Sequence, residues 1–153
     1  VSFGKFLLAN LLPLGVAALS GLTMAVQGSM NSVLGRYIGL WEATWLVHLV
    51  GLLVVSLLVF IFKVGDGQLA NLLQAPWYTF LGGVLSVGII YGVVTSIPRL
   101  GVANATTAII VGQVLTAVLI DHLGLFGVEK IPFSWWQLLG LALLALGARC
   151  LLR

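Results

Sequence analysis

The sequence predicts an all-α polytopic membrane protein with five transmembrane helices, and three observations predict it. Of its 153 residues 61% are hydrophobic and 7% charged, with a mean hydropathy of +1.19, whereas a water-soluble domain carries about a quarter charged residues. The apolar residues gather into five runs that reach or approach the ~20 residues a helix needs to cross the hydrocarbon layer. Those runs are continuous, without the polar–apolar alternation of barrel strands.

The expected spans are residues 11–32, 43–62, 77–97, 102–120 and 135–152, in one membrane domain covering 1–153. The first run begins early, and residues 7–20 after Lys5 have the look of a secretory signal core. The apolar character continues through Met24 and Val26, and four further runs follow, so a retained helix is expected. Lys63, Asp66 and the glycines Gly65 and Gly67 separate the second run from the third, and Pro76 stands where a helix starts without needing an amide hydrogen. Pro98, Arg99, Leu100 and Gly101 form a connection so short that the third and fourth helices are expected to be antiparallel neighbours. Residues 121–132 divide the last two runs, with Ser134 placed to cap a helix opening at Trp135. Trp41, Trp45, Trp77, Tyr78, Trp135 and Trp136 lie near the expected helix ends, where aromatic rings settle at headgroup depth.

Five spans put the termini on opposite sides, and the lysines and arginines then divide almost evenly. Lys5, Lys63 and Lys130 fall on one side; Arg36, Arg99, Arg149 and Arg153 fall on the other. Orientation follows a clear excess of positive charge on the cytoplasmic side, and three against four is no such excess. Insertion in both orientations, giving an antiparallel homodimer, stands beside a single orientation with the C-terminal side cytoplasmic. Two oppositely inserted copies reproduce the inverted repeat that many transporters carry within one chain.

The polar residues inside the spans are few, and each has two readings. Ser20, Thr23, Gln27 and Asn31 recur every three or four residues and share one helical face. An unpaired amide in hydrocarbon costs several kcal/mol, so Gln27 and Asn31 are expected either to touch a solute or to bond neighbouring helices. Gln113, near the middle of the fourth span, has the same alternatives. Tyr91 and Thr95 are four apart and candidates for a cavity wall. Gly21 and Gly28, and Gly88 and Gly92, offer small faces for close packing. His48 is the ionisable group placed clearly within a span, either a proton-coupling group or a satisfied structural histidine. Glu42 near a helix start and Asp121 at a helix end are further candidates for proton coupling, against the plain reading of terminal carboxylates with access to water.

Several function classes are excluded. The seven basic residues are scattered singly rather than forming a nucleic-acid-binding patch. The single cysteine, Cys150, has no disulfide partner and belongs to no thiolate set. Asp121 and His122 are adjacent without a third ligand, so no metal site is read there. Phosphate-cradling loops, HExxH and nucleophile elbows are all missing, so neither catalytic residues nor a cofactor is expected. The partners expected are membrane lipid and a small-molecule solute.

The stretches QGSMNSVLGRYIGLWEA, APWYTFLGGVLSVGIIY and IPRLGVANATTAIIVGQVLTAVLIDHLGLFG, together with Gly51, carry a resemblance. Over residues 10–150 the chain resembles the YdcZ-like family of small five-helix proteins in the drug/metabolite transporter superfamily. The run 98–127 is the most specific part, with a proline–glycine turn, an intramembrane Gly-Gln pair and an Asp-His-x-Gly helix end in order. The resemblance implies a chain equivalent to one half of a ten-helix transporter, in a bacterial inner membrane. It maps the family's recurring polar positions onto Gln27, Asn31, Gln113 and Asp121. The small multidrug-resistance relatives have four helices and a membrane-buried glutamate in the first; this chain has neither feature, which points away from multivalent organic cations. A secondary transporter for a small polar or amphipathic metabolite, working by alternating access as an antiparallel homodimer, is the reading expected. A passive channel and a non-transporting scaffold or regulatory subunit are the alternatives.

Overall fold

The computed structural model describes residues 10–152; Lys5 and Arg153, two of the charges in the orientation count, lie outside the described residues, as do residues 7–9 of the signal-like stretch. The regular structure of the described residues is all helical, with α1 (Leu11–Ile38), α2 (Leu40–Ser56), α3 (Leu81–Leu100), α4 (Val102–Leu123) and α5 (Trp135–Leu151) as its main elements. With a π-helical turn at Leu57–Ile61 prolonging α2 and a 3-10 turn at Trp77–Phe80 opening α3, four helices are long and apolar enough to cross a membrane. The fifth, α5, is apolar but has 17 residues. The chain divides into two compact units, Val1–Pro98 and Arg99–Arg153.

Two boundaries differ from the sequence expectation. Residues 33–38 do not form a connection: α1 continues to Ile38, and the break is Gly39 alone. With φ 99° and ψ 159°, Gly39 occupies a region that only glycine enters freely, and its one-residue corner leads directly into α2. Likewise α3 runs through Pro98 to Leu100, and Gly101 (φ 81°, ψ 162°) makes an equivalent corner. Proline removes one amide hydrogen, a small loss two residues before a helix end, and without water in the bilayer the backbone keeps its internal bonds wherever it can.

The cap expected at Ser134 forms. Its Oγ accepts from the Trp136 amide at 3.3 Å, and the Gln137 Oε1 accepts from the Ser134 amide at 2.8 Å, completing a reciprocal capping box. Gln137, the polar group at the start of the fifth run, is thereby accounted for. At the other end of the connection α4 outlasts its expected span to Leu123 and closes on left-handed Gly124. The Asp121 carbonyl then accepts from the Ile131 amide at 2.9 Å, pinning the connection to the helix end.

The distribution of burial is that of a lipid-dissolved protein. Leu, Ile, Val, Phe and Trp side chains cover the outside, while the buried set is mostly small or polar (Gly28, Asn31, Ser32, Ala43, Thr44, Ala105 and Ala148), with Val94 and Ile97 the larger apolar members among the described residues. Lipid tails are as apolar as leucine, so helices in a bilayer gain from backbone proximity rather than from hiding large side chains. In the first unit α1, α2 and α3 converge where Gly35, Ala43 and Val94 meet; a Cβ on Gly35 would stand 2.6 Å from the Val94 Cγ1 and 3.9 Å from the Ala43 Cβ. Seven residues earlier on the same helix, a Cβ on Gly28 would stand 2.9 Å from Val93 and 3.2 Å from Ile97. In the second unit α4 packs against α5.

Candidate solute-binding groove

The polar stripe of α1 splits into two chemical kinds. Hydroxyls satisfy themselves locally: Ser20 donates to the Val16 carbonyl at 2.9 Å, Thr23 to Leu19 at 2.8 Å and Ser29 to Ala25 at 2.8 Å. With their single hydrogen engaged, Ser20 and Thr23 sit on the outer surface at little cost. An amide has two donors and an acceptor and has no such route. Asn31 is 7% exposed, yet its side chain has no hydrogen-bond partner among the described residues and none of its polar atoms is sealed from the surface. What it faces is a groove of about 700 Å³ between α1 and α2.

The groove is built by Gln27, Met30, Asn31, Val33, Leu34 and Tyr37 of α1, facing Leu46, Val47, Val50 and Gly51 of α2. Gln27, more exposed than Asn31, lies one turn away from it and sets a second amide on the same wall. Gly51 contributes an absence of side chain; a Cβ there meets nothing within 4 Å, so the residue leaves the groove open instead of sealing a helix contact. An apolar cleft of this size with a few polar groups is the usual form of a small-molecule site. Beyond it a smaller cavity of about 370 Å³ adjoins Val33, Arg36 and Tyr37 near the end of α1.

The other candidates are placed elsewhere. Tyr91 packs against Trp41, ring centroids 4.6 Å apart and planes tilted by 35°, and the Thr95 hydroxyl donates to the Tyr91 carbonyl at 2.8 Å; neither lines the groove. Trp41 is thus a link between α2 and α3. His48 also faces α3, within 2.9 Å of the Ser86 hydroxyl. Glu42 occupies the first turn of α2, its carboxylate folded over the Gly39 corner, a stable position at the positive end of a helix.

In the second unit Gln113 is exposed on α4. A cavity of about 640 Å³ between α4 and α5 is lined by Ala108, Val111, Ala145, Ala148, Arg149 and Leu152, with Gln113 outside that lining. Asp121 is partly exposed in the last turn of α4, and His122 beside it packs edge-on against Phe133 at 6.1 Å. Among the described residues no group of three or more potential ligands is placed to hold a metal ion.

Gly35 and Tyr37 lie beyond the expected end of the first span and are not among the candidates that the sequence pointed to. Continuing the seven-residue spacing from Gly21 through Gly28 reaches Gly35 and would have revealed the longer helix. The contact of Ser86 with His48 spans 38 positions and carries no local signal in the sequence.

Residues 12–150 match the model of a family described as "Putative inner membrane exporter, YdcZ". The chain belongs to this family. Membership assigns it to membrane transport in general, rather than to catalysis, and agrees with the resemblance carried by the motifs around Gln27 and Gln113. No curated protein and no solved structure matches the chain significantly. The residues that line the groove, from Gln27 to Gly51, all fall within the matched range.

Proposed function

We propose that the chain is a secondary transporter that moves a small polar or amphipathic metabolite across a bacterial inner membrane. It works by alternating access as an antiparallel homodimer, and the α1–α2 groove is part of the solute path. The observation that carries this reading is Asn31, a buried amide without a protein partner facing an apolar groove. In hydrocarbon such a group costs several kcal/mol unless something in the groove bonds to it. A solute with an apolar body and one or two hydrogen-bonding groups supplies what Asn31 and Gln27 lack. Family membership as an exporter supports the direction, out of the cell.

The dimer is supported by the near-even division of positive charge and by the implied equivalence to half of a ten-helix transporter. Gln113, exposed in the single chain, is then a residue that a second copy covers. Polar groups are too widely separated by apolar surface for a continuous aqueous pore, which favours transport over a passive channel. The test is uptake of a panel of small polar metabolites into proteoliposomes. Asn31→Leu is expected to reduce flux tenfold or more, corresponding to loss of a hydrogen bond worth about 1.4 kcal/mol or more, with folding retained. Flux unchanged in Asn31→Leu removes the groove from the path. Loss of flux with retained assembly in Gln113→Leu supports its place at the covered surface; assembly without any flux in the native protein supports a scaffold.

A further inference from the structure

The second unit has a cleft of its own, about 640 Å³ in volume, where the first turns of α4 meet the last turns of α5. Ala108 on one side and Ala145 and Ala148 on the other give it walls of single methyl groups, which leave the space between the helices unfilled. Val111 and Leu152 complete the apolar lining, and the charged group that borders it is Arg149.

The depth of this arginine follows from α4. With 22 residues, about 33 Å at the helical rise, α4 is long enough to cross the ~30 Å hydrocarbon layer. Ala108 lies about 9 Å along it from Val102. From the neighbouring Ala148, α5 runs on only to Leu151, about 4–5 Å, so it stops short of the start of α4 and leaves a recess at that end of the unit. Arg149 stands in the recess, within reach of the headgroup level for a side chain that extends its charge along an apolar surface.

A cation at such a depth needs an anion, and the protein supplies none. The Arg149 side chain has no ion pair or hydrogen bond among the described residues. The acids of the same unit are at its other end: Asp121 is about 20 Å along α4 from Ala108, and Glu129 is in the connection beyond it.

We propose that the cleft is a binding site for an anionic phospholipid, with the phosphate on Arg149 and an acyl chain along the alanine walls. The two features of the cleft call for two halves of one molecule. A guanidinium meets phosphate oxygens with paired donors, and basic pockets between membrane helices recognise anionic headgroups. A free phosphate satisfies the charge and leaves the apolar walls uncovered; a neutral chain does the opposite. A zwitterionic headgroup carries its own cation beside the phosphate, so the anionic headgroup is the better match.

The test is native mass spectrometry of delipidated full-length protein, titrated with dioleoyl phosphatidylglycerol and with dioleoyl phosphatidylcholine, which have the same chains. The unsubstituted protein is expected to bind phosphatidylglycerol about fivefold more tightly, the increment that one basic residue supplies near a membrane surface. Arg149→Gln is expected to abolish the preference and Arg149→Lys to keep part of it. Lys130→Gln, beside Gly124 at the other end of α4, is expected to leave it unchanged. Ala145→Leu fills the cleft without touching the charge and is expected to weaken both lipids. Equal affinity for the two lipids in the unsubstituted protein, or a preference that survives Arg149→Gln, overturns the site. Displacement of phosphatidylglycerol by inorganic phosphate reassigns Arg149 to a soluble anion. A dimer that Ala145→Leu dissociates while lipid retention stays the same assigns the cleft to a second copy. Either of these results also overturns the proposal, and none of them depends on the solute groove.

Discussion

At the scale of single residues, side-chain chemistry decides which polar groups are functional candidates. Ser20, Thr23, Ser29, Thr44 and Thr95 all return their hydrogen to a carbonyl three or four residues back and need nothing else. Asn31 has no equivalent escape, and the groove is the consequence. The amides were legible in the sequence because residue type and spacing are local properties. Which neighbour each would face was not, since Gln27 and Asn31 find α2 while Tyr91 and Thr95, equally well spaced, stand outside the groove. Gly51→Phe is expected to fill the groove and abolish flux while leaving the thermal unfolding temperature nearly unchanged, because no atom stands near the added Cβ. Gly35→Ala is expected to do the reverse. Its new methyl must displace a branched valine methyl 2.6 Å away, a change of the overpacking kind costing about 1–3 kcal/mol. Thermal melts in detergent check it, with Val94→Ala restoring stability in the Gly35→Ala background.

At the scale of elements, the helices follow from hydropathy, but their ends follow from single glycines. Gly39 and Gly101 adopt nearly the same conformation and each turns one helix into the next without a loop. The expected connections at 33–42 and 98–101 were drawn too long because a bilayer rewards every backbone bond kept inside a helix, a term that charge and proline signals do not contain. Backbone strain predicts that Gly39→Ala and Gly101→Ala each destabilise by about 1–3 kcal/mol. At Gly101 nothing lies near the added methyl, so its alanine variant isolates the backbone contribution; at Gly39 the Glu42 carboxylate must also move. A Gly101→Ala protein as stable as the native one contradicts this account of the corners. The Ser134 cap was readable in advance because its signal, Ser followed by Gln three residues on, is contained in four positions. Ser134→Ala is expected to cost about 1 kcal/mol, measured by the same melts.

At the scale of the molecule, the large apolar side chains are mostly outside and the few buried residues are mostly small or polar, unlike a protein dissolved in water. Overall composition made that legible at once, whereas assembly depends on a partner surface that no single chain displays. The proposed dual insertion predicts that Cys150, which is exposed, is labelled from both faces of right-side-out membrane vesicles; labelling from one face contradicts it. The claim on which the functional account depends is that Asn31 faces a water-accessible path rather than lipid. Its most direct test compares Asn31→Cys with Leu22→Cys, on the lipid-facing side of the same helix and 63% exposed, in protein lacking Cys150. The account predicts that a membrane-impermeant thiol reagent modifies the cysteine at 31 and leaves the cysteine at 22 untouched. Equal reaction at both positions, or none at position 31, contradicts it.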